Sequence, residues 1–131
     1  MRQERVPFSV TTRIHSFGHA LRGLRFLLQS QPNAWIHLLA TVCIIAAGVF
    51  VRLAGFEWCL ILLAMTVVWV TESFNTAVEC LVDLVSPEIQ PLAGRAKDVA
   101  AGAVLLGAIG ASLVGVFVFL PHVLSLLSYS A

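Results

Sequence analysis

The sequence predicts an all-α integral membrane protein, an amphipathic surface helix followed by three membrane-spanning helices. Three observations carry this. Hydrophobic residues fill 59% of the 131 positions and charged residues only 11%, against a usual quarter charged; mean hydropathy is +0.92. Stretches 34–54, 58–85 and 98–120 are each apolar over about the 20 residues that cross a bilayer. Ahead of them, 8–30 sets apolar against basic and polar side chains at helical spacing. Length allows one domain, 1–131, and we see no internal repeat or low-complexity segment.

Residues 1–7 read as a polar tail. In 8–30, Phe8, Ile14, Phe17, Ala20, Leu21, Leu24, Leu27 and Leu28 form one side of a helix, and His15, Ser16, His19, Arg22, Gly23 and Arg25 fall largely on the other. That pattern suits a helix in the membrane interface, with arginines at headgroup level. A soluble partner-binding helix is the alternative, and the span that follows almost at once argues against it. Gln31-Pro32-Asn33 breaks this helix, Pro32 suiting the first turn of the next. Span one, 34–54, holds His37 and a single charge, Arg52. Gly55-Phe56-Glu57 turns the chain into span two, 58–85, whose length should carry its last turns beyond the bilayer core. Residues 86–96, with two prolines and Gly94, read as the one real loop. Lys97-Asp98 opens span three, 98–120, and Pro121 is expected to end it.

Arginines 2, 5 and 13 precede no apolar run before residue 34, so a cleavable signal peptide is not expected. Basic residues also set the topology. Arg2, Arg5, Arg13, Arg22 and Arg25 precede span one, Arg95 and Lys97 lie between spans two and three, and only Arg52 falls on the other side. The N-terminus and the 86–98 loop are therefore expected on the cytoplasmic side of the membrane. No basic arm argues for nucleic acid. Cys43, Cys59 and Cys80 are widely spaced with no histidine at ligand spacing, so packed thiols are expected rather than zinc. Ala103, Gly107, Ala111 and Gly115 form a small-residue stripe suited to close helix approach. Three helices enclose little, and an oligomer is expected.

The feature that demands chemistry is a polar stripe in span two. Glu72, Asn75, Glu79 and Asp83 are spaced by three, four and four residues, which places them within roughly 80° on a helix. Phe74, Ala77, Val78, Leu81 and Val82 between them suit lipid or packing. Charges at membrane depth cost about 2.5–3.5 kcal/mol each and are rarely idle. A solvated helix end is the plainer reading, but it leaves those apolar neighbours unexplained.

The same membrane edge gathers Lys97 and Asp98, Glu88 and Gln90 from the loop, and His15, His19, Arg22 and Arg25 from the surface helix. Carboxylates of this kind suit Mg²⁺, which binds through one or two of them plus substrate phosphates. A lysine can hold a transferring phosphate, with the adjacent Asp98 orienting it; a spare carboxylate can serve as base for a hydroxyl. Phosphoryl transfer fits, although no GxxxxGK[ST] or soluble-kinase motif is present. An ion or proton pathway, or an assembly subunit, is the rival reading of an intramembrane acidic stripe.

Glu72-Ser73-Phe74-Asn75-Thr76-Ala77-Val78-Glu79, Val82-Asp83 and Ala93-Gly94-Arg95-Ala96-Lys97-Asp98 resemble the small prokaryotic diacylglycerol kinase family, which includes undecaprenol kinases. Ala20 to Arg25 and Pro32 to His37 resemble its N-terminal segments, and the likeness spans roughly residues 8 to 120. The resemblance implies a homotrimeric inner-membrane kinase that moves the γ-phosphate of MgATP to a lipid hydroxyl, on undecaprenol or diacylglycerol. The wording of Gln31 to His37 leans toward undecaprenol. It implies Glu72 as catalytic base, Asn75 as a residue positioning reacting groups, and Glu79 as metal ligand. Lys97 and Asp98 would contact nucleotide phosphates, with Glu88, Gln90 and His19 also on the nucleotide. One departure stands out: where relatives often carry a second metal-ligating Glu, this chain has Gln31, which offers a carbonyl oxygen without a charge.

Overall fold

The computed structural model describes residues 10–86, 88 and 90–129. Phe8, Arg2, Arg5 and Pro7, together with Pro87, Ile89 and Ala131, lie outside the described residues. Among the described residues four helices follow in order: α1 (Val10–Ser30), α2 (Pro32–Val51), α3 (Gly55–Val85) and α4 (Pro91–Tyr129). The last three are long and apolar enough to cross a membrane. At 1.5 Å per residue, α3 is about 46 Å long and α4 about 58 Å, against a bilayer core of about 30 Å.

Local chemistry sets the boundaries. Gln31 is extended and Pro32 occupies the first position of α2, where its missing N–H costs nothing. The α2–α3 turn is tight: Arg52 takes a left-handed conformation (φ 57°), and its N–H bonds back to Gly48 and Val49 carbonyls. Glu57 then accepts a hydrogen bond from the Ala54 N–H at 2.7 Å, closing the first turn of α3.

Two boundaries differ from the sequence reading. The third span starts at Pro91, not 98, because Pro91 opens a helix, with the Gly94 N–H bonded to the Gln90 carbonyl. It also runs through Pro121 to Tyr129. Pro121 removes one backbone donor. Just past it the His122 ring (Nδ1) bonds the Val118 carbonyl and Ser125 Oγ donates to the His122 carbonyl.

The main packing is α3 against antiparallel α4, with α2 and then α1 laid on α3. Of the small-residue stripe, Gly107 makes the close approach: a Cβ there would lie 3.1 Å from Thr71 Oγ1 and 3.5 Å from Val67. Leu53, Ile61 and Val118 form a buried core near the α2–α3 turn, with Ile44, Trp58, Met65 and Val114 around it. Elsewhere the helices turn apolar side chains outward. Phe17 and Leu21 of α1, Phe50, Phe74, Leu106 and Phe117 are all exposed. The cysteines are free as expected, but they lie exposed on the outer helix faces rather than packed. A bundle of single helices has little interior, so most of each helix faces outward.

Gly48 sits under Trp58, and an added Cβ would meet the indole at 2.8 Å and Leu53 at 2.9 Å. The indole is rigid, so Gly48→Ala should destabilise by about 1–3 kcal/mol as an overpacked site, measurable by thermal unfolding in detergent.

Candidate active site

The polar stripe of α3 lies at the end of the bundle away from that core. Burial falls along it as helix periodicity and the neighbouring helices dictate. Glu72 is 1% exposed and Asn75 7%, Glu79 is half-buried, and Asp83 is exposed. Glu72 and Asn75 face a cavity of about 260 Å³ walled by Asn33, Ile36 and His37 of α2 and by Ala101, Val104, Leu105 and Ala108 of α4. Neither Glu72 carboxylate oxygen has a hydrogen-bond partner among the described residues, and Asn75 Oδ1 has none either. The nearest charge-capable group is His37, whose Nε2 lies 3.7 Å from Glu72 Oε2.

One turn further, Glu79 is clasped by two amides. Gln31 Nε2 donates to Oε2 at 2.7 Å and Asn75 Nδ2 to Oε1 at 3.0 Å. The position where the sequence lacks a second carboxylate is thus on Glu79, carrying an amide. Both amide oxygens and the carboxylate are hard oxygen donors of the kind magnesium accepts. No group of three or more His, Cys, Asp or Glu side chains that could hold a metal alone occurs among the described residues. The donor set fits an ion that takes its remaining ligands from phosphates and water.

At the mouth of the stripe, Lys97 Nζ donates to Asp83 Oδ1 at 2.6 Å across the α3–α4 pair. The expectation that Asp98 fixes Lys97 is corrected here: adjacent residues on a helix diverge by about 100° and do not face each other. Asp98 itself is exposed on α4. Asp83, Ser86, Glu88, Gln90, Gly94 and Lys97 line a polar recess of about 240 Å³. Glu88 and Gln90 thus share this recess with Lys97. His19 is not brought to either recess. It sits on the exposed face of α1 and accepts a hydrogen bond from Arg22 Nη2 at 2.8 Å. His37 and Asn33 are the wall residues that sequence reasoning left unassigned; the signal was their place as the polar groups nearest the start of an apolar span.

Three crossing-length helices with a buried carboxylate and a polar recess at one end define a multi-pass membrane protein whose site opens where helices leave the apolar layer. The sequence profile described as prokaryotic diacylglycerol kinase matches residues 18–119, and the chain belongs to that family. Its members are kinases, phosphotransferases with an alcohol as acceptor, which displaces the pore reading. The chain is 38% identical over 106 residues to undecaprenol kinase of Bacillus subtilis, covering 81% of this chain and 86% of that protein. It is 40% identical over 113 residues to diacylglycerol kinase of Synechocystis sp., covering 86% of this chain and 65% of the relative. Diacylglycerol kinase of Helicobacter pylori is 31% identical over 110 residues, covering 78% of this chain and 85% of the relative.

Replacing Glu79 with Ala leaves two amides without their shared acceptor, so Glu79→Ala should destabilise by about 1–3 kcal/mol. Asp83→Ala breaks only an exposed ion pair, which contributes little, and should leave the unfolding temperature nearly unchanged. Paired thermal denaturation curves check both.

Proposed function

We propose that this protein transfers the γ-phosphate of ATP to the terminal hydroxyl of undecaprenol, from the cytoplasmic side of the bacterial inner membrane. The observation that carries the reading is Glu72: a carboxylate buried in a cavity with Ile36, Val104 and Leu105 in its walls, both oxygens unengaged, beside Asn75. A free carboxylate at that depth can meet an alcohol held in the membrane, and water has little access to compete.

In this reading the lipid oxygen attacks the γ-phosphorus in line. Its proton passes to Glu72 as the new O–P bond forms, and the bond to the β,γ-bridging oxygen breaks with its electron pair leaving on ADP. Asn75 steadies the reacting groups through its free Oδ1 while its amide holds Glu79. Magnesium would be held by Glu79 with the Gln31 amide oxygen, and when bound it offsets charge on the phosphates. Lys97, kept in place by Asp83, supplies positive charge toward the nucleotide, with Glu88 and Gln90 beside it and Asp98 meeting the nucleotide from the adjoining face of α4. His19 would approach the nucleotide through a shift of α1 or from a neighbouring copy.

The exposed apolar face of α1 supports its lying in the membrane interface with Arg22 and Arg25 at the headgroups. The outward apolar faces of α2–α4 support an oligomer, read here as a homotrimer. The balance of basic residues supports a cytoplasmic N-terminus and 86–98 loop. A diacylglycerol acceptor is the second reading, since one relative bearing that name is 40% identical, against 38% for the undecaprenol kinase.

Purified protein in lipid, given labelled ATP and magnesium with each alcohol in turn, should phosphorylate undecaprenol in preference to diacylglycerol on thin-layer analysis. A preference for diacylglycerol reverses the substrate assignment, and no lipid phosphorylation in either arm sinks the function. Glu72→Gln should lower kcat by roughly 10²–10⁴, the usual range for a general base, while equilibrium binding of ATP is kept.

A further inference from the structure

We propose that His37 is the positioning residue of Glu72, donating from Nε2 to Oε2 so that Oε1 is left to receive the hydroxyl proton; this rests on reading Glu72 as the base. The argument begins with what Glu72 lacks. Its carboxylate is 1% exposed and both oxygens are without a partner. A buried anion is tolerated only when paired or hydrogen-bonded. The helices packed around it offer few candidates. From α4 come Ala101, Val104, Leu105 and Ala108, none of which can donate. From α3 comes Asn75, whose amide is already committed to Glu79. From α2 come Asn33, which is exposed, and His37, whose Nε2 is likewise buried and unpartnered.

The two unpartnered groups face each other at 3.7 Å. That is about 0.5 Å beyond a good N–H···O contact, a gap that a small side-chain rotation closes. The imidazole has little other freedom. Trp69 lies edge-on to it, ring centroids 6.3 Å apart at 68°. Trp69 is itself pinned to α2, its Nε1 donating to Thr41 at 3.0 Å. The ring is held where Glu72 is the acceptor in front of it. His37 touches neither nucleotide nor lipid in this arrangement; it acts through Glu72, selecting which oxygen is free and holding it still.

The test compares side chains of similar bulk with and without a donor. His37→Met fills the space but donates nothing, and His37→Gln keeps a donor that can extend to Glu72. In the reconstituted lipid-kinase assay, H37M should lose roughly 10- to 100-fold in kcat, the worth of one charge-assisted hydrogen bond, with KM for ATP unchanged. H37Q should recover most of that loss. If H37M does not accumulate in membranes, His37→Leu takes its place in the comparison. Equal kcat for the donor and non-donor variants overturns the proposal, as does a loss that appears in KM for ATP. Glu72→Gln is measured alongside. An active E72Q overturns the base reading itself; an inactive E72Q with full turnover in H37M removes only the role of His37.

Discussion

An anion placed where water does not reach has to be matched by the protein, and most of the polar architecture here follows from that need at Glu72. Placing the carboxylate on α3 between α2 and α4 removes its hydration. Whatever replaces the lost water must come from helices already apolar for other reasons. The helices set single polar residues at successive heights: His37 3.7 Å from Glu72, Asn75 one turn on, then Gln31 on Glu79, then Lys97 with Asp83. Each lies nearer to solvent than the last, so the cost of a charge falls as the number of charges rises. A chain that put Glu79 or Asp83 at the depth of Glu72 would face two or three unmatched anions in one apolar wall.

The other end of the bundle carries the opposite duty. Leu53, Ile61, Val118 and Trp58 pack around a tight turn, held by the left-handed Arg52 and the Glu57 contact with Ala54. Glu57 also faces His122 at 3.6 Å across from α4. At the site end the cavity is walled instead by Ile36, Ala101, Val104, Leu105 and Ala108, beside Asn33 and His37. Gly107 joins the two regions by bringing α4 onto Thr71, one residue before Glu72. A larger residue at 107 would lift α4 away and open the cavity wall to lipid.

The parts of this arrangement that depend on one helix were legible in the sequence, and the parts that depend on register between helices were not. The spacing of Glu72, Asn75, Glu79 and Asp83 places them on one face, because 3.6 residues per turn fixes a stripe without knowledge of partners. The three apolar stretches declare themselves by composition alone. By contrast, the pairing of Lys97 with Asp83 depends on how far α4 is offset along α3 after the loop, which no periodicity encodes; the adjacent Asp98 looked the better partner only in one dimension. His37 was visible as an isolated polar residue, yet its height relative to Glu72 depends on where Gln31 and Pro32 start α2. Pro121 misled because a proline rule drawn from helices in water was applied to an apolar helix, where α4 runs through it to Tyr129. The cysteines misled for a related reason, since an apolar neighbourhood in a membrane helix does not imply an interior.

Gln31 shows how such a site can trade charge for rigidity. With a carboxylate there, two anions would lie about a hydrogen-bond length apart whenever metal and nucleotide were absent, and their repulsion would be felt in a partly desolvated place. An amide turns that contact into an attraction: Gln31 bonds Glu79 at 2.7 Å and, with Asn75, holds its two oxygens in fixed directions. The price is one less negative charge for a divalent cation. What is gained is a ligand already oriented before the cation arrives, so less ordering remains to be done on binding. The same amide tethers the junction between α1 and α2 to α3, and that junction sets the height at which His37 meets Glu72. The choice at position 31 therefore reaches past the metal to the base, through the start of one helix.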